Sequence, residues 1–254
     1  MSVGNVPFSI VVPTRYGQMI INRNDINQAN ALIKTGQSLD HAEIELLGQV
    51  LRLYDADFGK SLSILDLGAN FGTFSLGLAP LVGPKGVIHA FEPQRILFNM
   101  ICGSVALNGL TNVHVHNLAV GDREGAVEIP QFDYSKPLNF GSVEFSAEQR
   151  EPLSQERGHD PAAAELVPLA TLDRFGFERV HLLKIDVEGM ELAVLDGAQA
   201  TIGRCRPIIF AEFIKVDREA LRLRLEGFGY SIFHTTMCYL AVPNELAGRV
   251  TIGR

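Results

Sequence analysis

Cysteine is scarce in this sequence, and its placement excludes the usual metal and redox motifs. Cys102, Cys205 and Cys238 are far apart, and neither a CxxC pair nor a Cys/His cluster with zinc spacing occurs. We interpret the three residues as buried free thiols, which fits a reducing compartment.

Long apolar runs are missing as well. No stretch approaches the roughly 18 consecutive apolar residues of a membrane span. The N-terminus lacks the basic start and extended apolar core of a signal peptide. We therefore expect a soluble, cytoplasmic protein with no membrane span.

The sequence also lacks a basic excess. Its 22 lysines and arginines are outnumbered by 29 aspartates and glutamates, and the formal net charge is −7. Surfaces that bind nucleic acids are usually basic, so we expect no nucleic-acid partner. With 254 residues, 46% of them hydrophobic, the chain has enough apolar material for a full α/β core.

Residues 1–60 are predicted to form an N-terminal hairpin and helix, which we consider as a lid. Phe8–Pro13 and Gln18–Asn22 have the pattern of two strands around a turn. Asp40 precedes an apolar stripe with helical spacing, and Glu43 follows three residues later. This arrangement predicts that Asp40 caps a helix.

Residues 61–254 are predicted to form the main α/β domain, because short apolar strands alternate there with helical stretches. The last segment, SIFHTTMCYLAVP, has no room for a crossover helix and predicts an antiparallel pair. A polar segment at 133–164 interrupts the pattern and is interpreted as a functional loop, a lid or a disordered insert. The other predicted strands are SLSILDLG, GVIHAFEP, VHVHNLAV, HLLKIDVEG and PIIFAEF, and the predicted helices are Thr73–Leu81, Arg95–Leu107 and Glu191–Ile202.

A glycine turn follows the first of these strands, in ILDLGANFG. A P-loop is excluded because Gly72 is not followed by Lys and Ser or Thr. A dinucleotide motif is disfavoured because Asn70 and Thr73 stand where its second and third glycines belong. Asp66 would also repel a pyrophosphate. A cationic cofactor, S-adenosylmethionine, fits better, and we expect Asp66 to attract its ammonium group directly or through water.

Other strand ends extend the predicted cofactor site. Glu92, at the end of FEP, can accept hydrogen bonds from both ribose hydroxyls. Asn117, Leu118 and Ala119 follow the third strand and are expected to line the adenine. The remaining predicted cofactor residues belong to the glycine turn or the KIDVEG strand, and they are Gly68, Ala69, Asn70, Gly72, Thr73 and Asp186.

The strand LLKIDVE carries the predicted catalytic residues. Lys184, Asp186 and Glu188 alternate, so they share one face of the strand. We expect Asp186 to orient or deprotonate an acceptor hydroxyl, with Lys184 holding it in place. A purely structural pairing of Lys184 with Asp186 is the alternative. A divalent cation on Asp186, Glu188 and Glu212 is a further alternative that we do not favour.

Four motifs follow one another along the chain, and in order they are DLGANFG, FEP, NLAVGD and KIDVEG. Through these motifs the chain resembles the FkbM family of S-adenosylmethionine-dependent methyltransferases over roughly residues 61–215. The resemblance implies a class I methyltransferase fold, which is Rossmann-like, with a mostly parallel seven-stranded sheet and an antiparallel last strand. It also implies that Gly68, Asn70, Gly72 and Glu92 hold the cofactor.

The resemblance further implies O-methylation of a sugar, glycan, glycolipid or secondary metabolite, so the expected partner is such an acceptor. A homodimer is one assembly that these expectations allow. Four alternatives stay open at this point: a nucleic-acid methyltransferase, a protein methyltransferase, a non-catalytic nucleotide-binding domain and an NAD-dependent oxidoreductase.

Overall fold

The N-terminal part of the chain is a hairpin followed by two helices. The structure, a computed structural model, describes residues 7–54, 56–141 and 159–250, the last range with side chains from residue 164. The hairpin prediction is confirmed, and its strands pair antiparallel. These first elements are β1 (Ser9–Thr14), β2 (Gly17–Asn22), α1 (Gln28–Thr35) and α2 (His41–Val50).

Ten strands and six helices follow within the described ranges. The strands are β3 (Ser63–Leu67), β4 (Val87–Phe91), β5 (Val113–His116), β6 (Ala119–Val120), β7 (Gly125–Phe132), β8 (His159–Ala170), β9 (Leu182–Ile185), β10 (Ile208–Glu212), β11 (Tyr230–His234) and β12 (Cys238–Pro243). The helices are α3 (Thr73–Leu78), α4 (Arg95–Leu107), α5 (Glu191–Asp196), α6 (Gln199–Cys205), α7 (Arg218–Gly227) and α8 (Asn244–Ala247). The longest helix, α4, has 13 residues, and none of the described helices could span a bilayer.

Seven of the described strands form the central sheet, in the order β11-β12-β10-β9-β3-β4-β5. All of its strands are parallel except β12, which runs antiparallel to both β10 and β11. The predicted class I methyltransferase fold is therefore confirmed. Strand order reverses between β3 and β9, and ligands of such sheets bind beyond the carboxyl ends of the strands at this switch point.

The sheet is apolar on both faces because helices or loops cover each one. One face carries Leu65 and Ile185 into a cluster with α5, α6 and α7, while the other carries Ile64 and Phe210 towards α2 and α3. The hairpin shares a third cluster with α4. It is tied there by a 2.9 Å bond that the Ile20 N–H donates to Oγ of Ser104.

Four sequence predictions differ from the fold in detail. The third strand ends at His116, and Ala119–Val120 turns away into a small sheet with β7 and β8. The helix predicted over Glu191–Ile202 is two helices. Strand β8 begins inside the polar 133–164 segment.

The fourth difference concerns Asp40, which stands at the N-cap position of α2 but makes no cap hydrogen bond. Its carboxylate instead accepts from the side chains of Gln28 and Ser38. This pairing brings the start of α1 and the start of α2 together. The lid role of the N-terminal unit stays a prediction.

Candidate active site

The turn after β3 packs directly on the end of β9. Gly68 has φ +75°, and a Cβ at this position would lie 1.7 Å from the backbone oxygen of Asp186. Only glycine allows both the left-handed conformation and this close approach. Asn70 is also left-handed, with φ +52°, so the turn aims the Asn70 N–H at the end of β4.

Glu92 receives that N–H at the end of β4. Its Oε2 accepts from the Asn70 amide at 2.8 Å and its Oε1 from the Gln94 amide at 2.8 Å. The side chain is 4% exposed, and burial raises the pKa of Glu92 to about 8 although both amides favour the charged form. Each carboxylate oxygen accepts two bonds, so Glu92 can still accept from a pair of ligand hydroxyls.

A cleft lies over these strand ends, with about 570 Å³ of space that includes open solvent. We call it the switch-point cleft. Its lining is Leu67, Gly68, Asn70, Phe91, Glu92, Pro93, Gln94, Leu118, Ala119, Val120, Gly141, Asp186, Val187, Glu188 and Met190. The predicted cofactor residues among these are Gly68, Asn70, Glu92, Leu118, Ala119 and Asp186.

The other predicted cofactor residues lie behind the cleft wall. Ala69, Gly72 and Thr73 are buried in the turn and the first residue of α3. The Asn117 amide nitrogen donates to the backbone oxygens of Glu92 and Pro93 at 3.0 and 2.9 Å. These residues shape the turns that carry the lining.

The predicted direct role of Asp66 requires correction. Its side chain is 1% exposed and is not part of the cleft lining. Oδ2 accepts from Oγ of Ser75 at 2.7 Å, and Oδ1 lies 3.4 Å from Nζ of Lys184. Strand alternation places Asp66 on the α3 side of the sheet, where it pairs with Lys184, and its contact with the ammonium group of a cofactor through water stays a prediction.

Lys184 is a buried residue of β9 that contacts both β3 and the turn after it. Its Nζ donates to the backbone oxygen of Gly68 at 2.7 Å and lies 3.4 Å from Oδ2 of Asp186. Burial alone would lower the pKa of this ammonium group, but the carboxylates of Asp186, Asp66 and Asp40 raise it above its ordinary value. Lys184 is therefore a fixed cation that orients carboxylates, and not a base.

The loop after β9 carries two carboxylates, Asp186 and Glu188, which differ in exposure and in their ion-pair partners. Asp186 keeps a side chain that is 35% exposed. Glu188 has φ +57° and forms a 2.6 Å ion pair with Lys215. Burial, followed by the charge of Asp186, raises the pKa of Glu188. Oε1 of Glu191 accepts from the Val187 and Gly189 amides at 3.1 and 3.2 Å, which fixes the loop.

A second, smaller cavity of about 360 Å³ lies between α2 and the ends of β9 and β10. We call it the α2-side cavity. Asp186 lines both this cavity and the switch-point cleft. Burial, and then the charges of Asp186 and Glu188, raise the pKa of Glu212 here. The lining is Asp40, Glu43, Phe74, Lys184, Ile185, Asp186, Phe210, Glu212, Met237 and Cys238.

The divalent-cation alternative finds no support in this geometry. Within residues 7–54, 56–141 and 159–250, no group of three or more histidine, cysteine, aspartate or glutamate side chains is placed to hold a metal ion. Glu188 instead pairs with Lys215.

Sequence reasoning missed several residues of the two sites. Leu67 and Phe91 end β3 and β4, so their strand-end position could have identified them. Met190 and Gln94 lie in loops whose course only tertiary packing fixes. The turn KPLNFGS offers Asn139, Gly141 and Ser142 as predicted acceptor contacts; Gly141 lines the switch-point cleft, and Ser142 lies outside the described residues.

The cleft residues fit S-adenosylmethionine. Glu92 offers carboxylate acceptors of the kind that hold a ribose diol, and Leu118 and Met190 supply apolar surface for a purine. The Gly68 turn has no side chain to obstruct a ligand. Oδ1 of Asn70 is buried without a hydrogen-bond partner among the described residues, so an acceptor is left for a ligand donor.

Comparison with known proteins identifies the family. The sequence model of the family described as "Methyltransferase FkbM domain" matches residues 66–232. Methyltransferase sdnD of Sordaria araneosa is 31% identical over 169 residues, which cover 57% of this chain and 63% of that protein. Methyltransferase 1 of Beauveria bassiana (strain ARSEF 2860) is 28% identical over 183 residues, which cover 66% of this chain and 70% of that protein.

One solved structure aligns with part of this chain. Methyltransferase FkbM from Methylobacillus flagellatus KT aligns with a TM-score of 0.48 at 19% identity, over 71% of this chain and 43% of that chain. The chain thus spans less than two thirds of the length of the first curated relative and of this solved protein. Because the family match runs from Asp66 past the ends of β9 and β10, the chain belongs to the methyltransferase FkbM domain family of S-adenosylmethionine-dependent methyltransferases.

Proposed function

We propose that this protein methylates a hydroxyl group of a sugar, glycan, glycolipid or secondary metabolite. The observation that carries the proposal is the position of Asp186, which lines both the switch-point cleft and the α2-side cavity. A group at this junction can contact a cofactor on one side and an acceptor on the other.

The switch-point cleft would hold the cofactor. Glu92 would accept from its ribose hydroxyls, and the Gly68 turn would admit its amino-acid portion close to the backbone. Leu118 and Met190 would contact its adenine. When bound, S-adenosylmethionine supplies an electrophilic methyl group.

The α2-side cavity would hold the acceptor. A neutral hydroxyl is a weak nucleophile, so a positioned base that takes its proton speeds the reaction. Asp186 would accept that proton, while Lys184 fixes the carboxylate from 3.4 Å away. Fixed placement of the two reactants supplies the rest of the rate enhancement.

The free thiols support a cytoplasmic location as part of this proposal. Cys102, Cys205 and Cys238 are all unpaired, although each is half-buried and not buried as expected. Unpaired thiols are typical of a reducing compartment.

The proposal is tested by incubating the protein with methyl-labelled S-adenosylmethionine and an extract of glycans and metabolites from the source organism. We expect mass spectrometry to detect a labelled methyl ether. In parallel, S-adenosylhomocysteine should raise the melting temperature and NAD should not, because only a bound ligand stabilises the folded state. Stabilisation by NAD alone would contradict the proposal, and methylation of added RNA, DNA or protein would redirect it to those acceptors.

A further inference from the structure

Residues 133–141, which we call the 133–141 strap, reach the wall of the switch-point cleft from outside the central sheet. Gly141, at its end, lines the cleft. A Cβ on Gly141 would lie 2.5 Å from Nδ2 of Asn70. The backbone N–H of Asn70 donates to Glu92, the residue that would hold the ribose. The strap therefore ends against the turn that positions Glu92.

Asp25 anchors this strap to the N-terminal unit. Its Oδ2 accepts from the Phe140 amide at 3.1 Å. Its Oδ1 accepts from the amides of Asn27 and Ala29 at 3.0 and 2.9 Å. Asp25 is 2% exposed, and burial raises its pKa although these three amides favour the charged form. A buried carboxylate with amide partners on two segments fixes their relative position.

Further hydrogen bonds tie the strap to Gln94 and to the N-terminal unit. The backbone oxygen of Phe140 accepts from Nε2 of Gln94 at 2.7 Å, and Oε1 of Gln94 accepts from the Tyr134 hydroxyl at 3.3 Å. The backbone oxygen of Tyr134 accepts from the side-chain amides of Asn22 and Asn24 at 3.0 and 3.1 Å. Phe140 is fully buried. The strap is thus held between the N-terminal unit and Gln94, which itself lines the cleft.

We propose that Asp25 is a positioning residue for cofactor binding. It holds Phe140 so that Gly141 completes the wall of the cleft beside Asn70. This inference rests on the proposed function, because it assigns a role in the same cleft. It also makes the N-terminal unit, which precedes the matched residues 66–232, a working part of the cofactor site.

The test is titration calorimetry of the full chain with S-adenosylhomocysteine. In Asp25→Asn, Oδ1 keeps its two acceptor bonds while an NH₂ group meets the Phe140 amide, so Phe140 loses its bond to Asp25 and the other bonds of the strap remain. We expect the Kd to rise about tenfold or more, since hydrogen bonds to charged groups are among the stronger ones. The kcat at saturating S-adenosylmethionine should stay within about twofold, because the acceptor side is untouched.

Two further variants make the test specific. Tyr134→Phe removes only the bond to Gln94 and should raise the Kd by a smaller factor. In the double variant with Asp25→Asn the effects should be non-additive, because both act through one strap. Asp133→Asn is the matched control: among the described residues this carboxylate bonds to Ser135 and Lys136 alone, on the exposed side of the segment, and its variant should bind normally.

The outcomes separate the two proposals. If the wild-type protein binds S-adenosylhomocysteine but Asp25→Asn and Tyr134→Phe bind it equally well, the positioning role is wrong. If Asp25→Asn binds weakly and Asp133→Asn does so to the same degree, the effect is general destabilisation and the role is again wrong. If the wild-type protein does not bind, the proposed function fails and takes this inference with it.

Discussion

Nζ of Lys184 lies 2.7 Å from the backbone oxygen of Gly68, so a side chain of β9 secures the turn that follows β3. The two halves of the sheet meet between these strands. The lysine therefore couples the part of the cleft that would bind a cofactor to the strand that carries Asp186.

Replacing Lys184 by Met should lower the free energy of unfolding by about 3–5 kcal/mol, because it leaves a buried carboxylate without its cation. Asp66, at 1% exposure, is that carboxylate. Urea denaturation at pH 7 measures the change. The control is Lys136→Met, which breaks an exposed ion pair with Asp133 and should cost about 1 kcal/mol or less. Equal losses of unfolding free energy in both variants would show that Lys184 does not stabilise the buried carboxylate of Asp66.

Asp186→Asn should lower kcat by about 100- to 10,000-fold, the usual contribution of a general base. The Kd of S-adenosylhomocysteine should change far less, because Glu92 and the Gly68 turn are intact. Glu188→Gln offers a comparison, since Glu188 is already paired with Lys215 and its loss should reduce kcat much less. Steady-state kinetics beside calorimetry decides the matter, and unchanged turnover in Asp186→Asn would remove its proposed role.

Binding should release a proton from Glu92. Its pKa of about 8 in the free protein means that the carboxyl is mostly protonated at pH 7. Ribose hydroxyls donate to the charged form and so lower this pKa on binding. Affinity should therefore rise with pH up to about 8 and then level off.

Calorimetry at pH 7 in buffers of different ionisation enthalpy measures this proton. The wild-type protein at pH 9 is the internal control, because Glu92 is already charged there. Proton uptake at pH 7, or affinity independent of pH between 6 and 8, would show that Glu92 does not meet the ribose.

Gly68→Ala should destabilise the protein strongly and abolish S-adenosylhomocysteine binding. The new Cβ would lie 1.7 Å from the Asp186 oxygen, and the left-handed backbone adds strain, for a total of about 3–5 kcal/mol.

Gly36→Ala is the matched control for that variant. Gly36 also has φ +71°, but a Cβ there would meet nothing within 4 Å. Gly36→Ala should lower the free energy of unfolding by about 1–2 kcal/mol, the strain of a left-handed residue with a side chain, and leave S-adenosylhomocysteine binding intact. Similar melting temperatures for the two variants would contradict the close contact between β3 and β9.

The sequence predicted the sheet because its strands are apolar on both faces, which makes them visible as continuous runs. Helix α1 was missed because its first turn has no acid to mark the start. The Asp25 carboxylate, two residues before the helix's N-cap, accepts from the Ala29 amide there. The break between α5 and α6 lies at Gly197, where a Cβ would lie 1.9 Å from the Gly121 oxygen. No local pattern encodes such a contact.

The site was predictable to the same extent. Glu92 and Asp186 were identifiable because strand ends converge at the switch point. Asp66 lies one residue before the end of β3, but strand position alone did not reveal that Ser75 and Lys184 face it. Gly141 was considered for acceptor contact, but it lines the switch-point cleft, because the course of its loop depends on tertiary packing.

The bond between Asp25 and Phe140 joins positions 115 residues apart in the chain. The central sheet needs a closure of comparable length, because β3 pairs with β9 through Ile64 and Leu182. Loop-closure entropy grows only slowly with loop length, so we expect neither closure to precede the other. In refolding experiments, far-ultraviolet circular dichroism and S-adenosylhomocysteine binding should then recover together, and earlier recovery of the dichroism would show that the sheet assembles before the strap is fixed.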